Sequence, residues 1–102
     1  MTEQKRTTNL AWARSIEGIV SRGLANQKRR SKGKAFGAPQ YTKSKLYLWC
    51  LNDVEFKTLH EEYVASGYVA DLRPTFDRID NLKGYSFDNI QALTMRANVL
   101  KG

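Results

Sequence analysis

TFDRIDNLKGYSFDNIQALTMRAN, residues 75–98, is where the chain changes its period. Pro74 stops any helix that precedes it, and TFDRI sets Phe76 and Arg78 against Thr75, Asp77 and Ile79 in the two-residue alternation of a short strand. DNLKGYSFDN is dense in turn formers, and Gly84 is the residue expected at positive φ. IQALT predicts a second short strand, and TMRANVLKG predicts a helix capped by Thr94. The tail from 74 to 102 therefore reads as β-turn-β-α.

Toward the N-terminus the period is helical. NDVEFKTLHEEYVASG opens on an Asn52 or Asp53 cap, carries Phe56, Leu59 and Tyr63 at helical spacing, and closes at Gly67. His60, the one histidine, falls beside that stripe and reads as a boundary residue. Leu46 to Leu51 predicts one or two helical turns in the core, with Tyr47 and Trp49 as anchors and Cys50 as a buried thiol. Trp12, Ile16, Ile19, Val20 and Leu24 recur every three or four residues, on one side of a helix that starts near Thr8 or Asn9. In NQKRRSKGKAFGAP that helix is expected to fray into a basic loop that orders on a phosphate ligand. The expected class is α+β: a single domain over 1–102, with a basic helix and loop (1–45), a helical core (46–67) and the β-turn-β-α tail (74–102).

Composition narrows the chemistry. A chain of 102 residues buries one modest core and not two. No apolar run approaches the roughly 18 residues of a membrane span, and the polar Met1 to Asn9 does not read as a secretory signal. A soluble, cytoplasmic protein without a membrane partner is expected. One Cys and one His exclude an intrachain disulfide and a four-ligand structural zinc, so any metal must be held by oxygen. The net charge of +7 is lopsided: residues 1–52 carry eleven Lys and Arg against Glu3 and Glu17, whereas residues 53–102 carry six against eight acids. A basic half joined to a mildly acidic half is the footprint of a protein that meets a polyanion.

RPTFDRIDNLKGYSFDNIQALTMRANVLKG resembles the tail of a group of HNH (His-Me finger, ββα-metal) endonucleases common in phages. LNDVEFKTLHEEYVASGYVADLRP is similar to the segment before it in that group, and residues 1–40 match only loosely. The resemblance implies a ββα finger in which Asp77, Arg78, Asn89 and Asn98 are the catalytic set. Within it Asp77 matches the first metal ligand, Asn89 the loop residue that ties the finger together, and Asn98 the metal ligand on the helix. Mg²⁺ or Mn²⁺ suits such donors, because a hard cation prefers oxygen and takes only one or two protein carboxylates beside a substrate phosphate. Arg78 stands where the pattern carries its base histidine. With a pKa above about 12 it cannot accept a proton near neutrality, and its role is limited to holding a phosphate oxygen or stabilising charge on phosphorus.

The reading that follows is a metal-dependent DNA endonuclease or nickase hydrolysing phosphodiester bonds. The alternative is a catalytically inactive HNH-like protein that binds DNA or a host or phage protein; RNA is a weaker third target. Arg14, Arg22, Lys28, Arg29, Arg30, Lys32, Lys34, Lys43, Lys45, Arg96 and Lys101 are the candidate contacts to DNA, duplex in preference. If the chain is phage-encoded, its expected place is the host cytoplasm.

Overall fold

The computed structural model describes residues 10–101. The predicted Thr8 or Asn9 cap lies outside them. Residues 10–14 are helical, and the chain then breaks at Ser15 rather than running on as one helix. Ser15 is a capping residue in extended conformation, and its Oγ accepts from the Gly18 N–H at 3.1 Å to start helix α1, Ile16–Ser31. The break takes Trp12 off the apolar stripe, and the residue is 41% exposed. Ile19, Val20 and Leu24 keep the stripe and enter the core.

Helix α1 also ends later than expected. Lys28, Arg29 and Arg30 form its last turn instead of opening a loop. Lys and Arg are good helix formers, and at a C-terminus they face the negative end of the helix dipole, so the charge run extends the helix. The loop proper begins at Lys32 and turns through Gly33 and Gly37, both at positive φ.

Helix α2, Lys43–Asn52, is capped by Thr42 and is longer than the Leu46–Leu51 piece read from the sequence. Only Leu46 and Cys50, four residues apart, are fully inward, so its apolar signal looks short. Asp53 ends α2 and caps helix α3, Val54–Ala65, with its carboxylate accepting from the Phe56 N–H at 2.9 Å. Phe56 and Tyr63 are buried and Leu59 packs beside them, as the spacing predicts. Gly67 leaves the helix at φ +79°.

A short 3₁₀ turn, Ala70–Leu72, leads into strand β1, Pro74–Arg78, which pairs antiparallel with β2, Ile90–Thr94. The register sets Phe76 opposite Ala92 and Asp77 opposite Gln91. Facing residues share a side, so Phe76 and Ala92 enter the core while Asp77 and Gln91 look the other way. Phe76 stacks on Phe56 at 5.6 Å, which docks α3 under the hairpin. Helix α4, Met95–Lys101, covers the opposite side, and Thr94 Oγ1 accepts from the Ala97 N–H at 3.1 Å. Helices and a two-stranded antiparallel sheet thus make an α+β fold. Among the described residues no helix is long and apolar enough to cross a membrane.

Candidate nucleic-acid interface and hairpin site

The eleven residues between β1 and β2 are organised by one side chain. Asn89 is buried, and its Oδ1 accepts from the Asp80 N–H at 2.9 Å while its Nδ2 donates to the carbonyls of Asp80 (3.1 Å) and Gly84 (2.8 Å). All of these bonds are to backbone, so Asn89 satisfies groups that would otherwise be orphaned in the turn. Asp80 adds a local turn, accepting from the Leu82 N–H at 2.9 Å. Asp88 is exposed, and the Ser86 hydroxyl, then its own backbone N–H, hold its carboxyl below the usual range.

Gly84 is not at positive φ, contrary to expectation. It is needed for a close approach: a Cβ there would lie 3.0 Å from Phe36 Cδ1 and 3.1 Å from the Phe36 carbonyl oxygen. The same Phe36 ring lies 4.6 Å beneath the Arg78 guanidinium, with Tyr85 at 5.3 Å. Arg78 Nη1 donates to the carbonyls of Asn81 (3.0 Å) and Lys83 (3.1 Å). Arg78 therefore ties the turn together and fastens the basic loop to the hairpin through Phe36. Gln40, whose N–H donates to the Tyr85 carbonyl at 3.0 Å, and Tyr41, stacked on Phe87 at 4.7 Å, complete that attachment. The loop expected to order on phosphate is docked by its own aromatic residues.

Asp77 and Asn98 fall on one side of the hairpin, against α4. Asn98 Nδ2 donates to Thr75 Oγ1 at 3.0 Å and toward the Phe76 carbonyl at 3.4 Å. The Thr75 hydroxyl already gives its proton to the Leu93 carbonyl, so it must accept from Asn98, which fixes the amide with its nitrogen toward the strand. One helical turn on, the Lys101 ammonium contacts Asp77 Oδ2 and donates to the Arg78 carbonyl at 3.2 Å; Gln91 Nε2 donates to the same carboxylate oxygen at 3.0 Å. The Asp77 carboxylate is only 11% exposed. As folded, both groups are engaged within the finger: the single carboxylate is paired with an ammonium, and the Asn98 amide gives its nitrogen to the strand.

The candidate DNA contacts divide by what holds them. Arg14 lies 4.4 Å above the Tyr68 ring, Lys43 pairs with Glu17 at 3.5 Å and Arg96 meets Asp71 at 4.0 Å. Arg29 donates to Asn26, and Lys101 is engaged by Asp77. Among the described residues Arg22, Lys28, Arg30, Lys32, Lys34 and Lys45 have no carboxylate partner. Lys28, Arg30, Lys32 and Lys34 are exposed on the last turn of α1 and the docked loop after it. His60 is occupied elsewhere, with Nε2 3.0 Å from the Arg14 carbonyl and its ring tilted on Tyr63.

Beside the hairpin lies a cleft of about 470 Å³ between α1, β1 and α4. Arg22 and Arg30 line it together with Arg73, and no Asp or Glu does. Charge clustering in the sequence passes over Arg73, one of six scattered cations in the acidic half. No family model, curated protein or solved structure matches the chain.

Proposed function

We propose that this protein binds the phosphate backbone of DNA on a finger of HNH type whose polar hairpin serves as a scaffold. The observation that carries the reading is the exposed run Lys28, Arg30, Lys32 and Lys34, held on the last turn of α1 and the docked loop after it and free of carboxylate partners among the described residues. Cations fixed on an ordered surface give up less freedom on binding than cations on a loose loop, and each releases counterions from the polyanion. Such contacts are to phosphates, so they position the protein without reading bases.

The hairpin supports binding over cutting. In the HNH pattern Asp77 and Asn98 would hold a metal and the side chain at 78 would face substrate. Here Arg78 spends donors on turn carbonyls, the Asp77 carboxylate accepts from Lys101 and Gln91, and Asn98 turns its amide nitrogen to Thr75. Neither Arg78 nor His60 is placed to take a proton from water beside Asp77: Arg is always charged, and His60 is bonded to Arg14.

One assay tests the reading. Purified protein is incubated with supercoiled plasmid in Mg²⁺ or Mn²⁺ while duplex binding is followed by gel shift. The expected result is retarded DNA without nicks, lost on Lys32→Ala with Lys34→Ala. Nicking that requires the divalent cation and disappears in Asp77→Ala would overturn it in favour of a cutting finger.

A further inference from the structure

We infer that the cleft between α1, β1 and α4 is a seat for one unpaired strand of nucleic acid, held by Arg22 and Arg30 along one wall and by Arg73 from the other. The inference rests on the proposed nucleic-acid binding and locates a second, distinct mode of contact.

Arg22, Asn26 and Arg30 are spaced four residues apart on α1, so they form one row about 12 Å long from end to end. Arg73 faces this row from the residue before β1. None of the three guanidiniums has an ion-pair partner among the described residues, and the cleft has no acidic lining. Three like charges around one space repel one another until an anion enters, and guanidinium is the cation best matched to phosphate oxygens. Elsewhere the protein does neutralise its cations where acids are at hand, as Lys43, Arg96 and Lys101 show.

The rest of the lining suits a nucleotide and not a bare anion. Ile19, Phe76 and Tyr85 give the cleft an apolar floor, and the exposed Val99 adds apolar surface against which a sugar or base packs. Asn98 lines it too, and its amide nitrogen is already committed to Thr75. The remaining polar wall is Gln27, 3% exposed, with Oε1 accepting from the Tyr41 hydroxyl at 2.6 Å and Nε2 a buried donor that has no acceptor among the described residues. A space of this size is that of a small-molecule site; it admits a nucleotide or two of one strand and excludes the width of a duplex.

Fluorescence anisotropy on the full chain tests this with two probes, a labelled oligo-dT of about 12 nucleotides and a duplex of the same length. Arg73→Ala is expected to weaken oligo-dT binding about tenfold and to lower the slope of log affinity against log salt by about one. Arg22→Ala, which removes a guanidinium from the α1 wall and leaves the run from Lys28 to Lys34 untouched, is expected to do about as much. Duplex binding, carried by Lys28 to Lys34, should change by less than about threefold in either variant. Oligo-dT binding unmoved by both variants, with duplex binding intact, overturns the cleft and leaves the proposed function standing. Equal losses on both probes overturn the single-strand assignment, and a wild-type chain that binds neither probe overturns both proposals.

Discussion

Arg78 carries a charge at every pH at which a protein folds, so its use is decided by geometry. Two turn carbonyls and two aromatic rings surround it. Placing a histidine there, the change that would restore the base of the HNH pattern, removes both carbonyl contacts and the grip on Phe36. We expect Arg78→His to lower stability by about 1–3 kcal/mol, read by denaturant unfolding, and to create no nicking activity. Asn89→Ala should cost more, about 2–4 kcal/mol, because three half-buried backbone groups lose their partner at once. Lys101→Ala should cost about 1–3 kcal/mol by the same measurement, because it leaves the nearly buried Asp77 carboxylate with Gln91 alone. If nicking appears in Lys101→Ala with a divalent cation, Asp77 was being held out of use by its lysine.

At the scale of elements, alternation and capping made the hairpin and α4 readable, because Pro74, Thr94 and the Phe76/Ala92 side each act within a few residues. The strands agree with expectation to within a residue, and Asn89 bonds the backbone of Asp80 and Gly84 in the turn between them. What was not legible depended on contacts far apart in sequence. Gly84 looked like a turn glycine, but its constraint is the Phe36 ring, which arrives from a different segment. The docking of the basic loop was hidden for the same reason, and so was the pairing of Lys101 with Asp77. Glycine substitutions separate local from tertiary causes. Gly33, at φ +76° in open space, should lose about 1–2 kcal/mol on change to Ala through backbone strain alone, with the loop still docked. Gly84→Ala has no such strain and should instead push Phe36 away, so limited proteolysis between Lys32 and Gln40 is expected to speed up in this variant and not in Gly33→Ala.

Two charge distributions act on the whole molecule, and they respond to different variables. Inside, burial pushes the Cys50 thiol and the Tyr41 hydroxyl well above their ordinary values of 9.0 and 10.0. Both groups stay neutral in the folded chain while the unfolded chain ionises, so their contribution is whole below about pH 9 and declines as the pH rises beyond it, visible as a falling unfolding midpoint. Outside, the excess of eleven cations over two acids in residues 1–52 acts on ligands, and salt is the variable that reads it. If Lys28, Arg30, Lys32 and Lys34 each neutralise a duplex phosphate, log affinity should fall against log salt with a slope of about −3.6, a loss of about a hundredfold between roughly 50 and 200 mM. Removing Lys32 and Lys34 together should bring that slope near −1.8, whereas Lys43→Ala, whose charge is already paired with Glu17, should barely move it. A slope that followed net charge irrespective of which lysine was removed would mean that duplex binding is a property of the overall field; a slope that follows the docked run alone ties it to the surface that Phe36, Gln40 and Tyr41 hold in place.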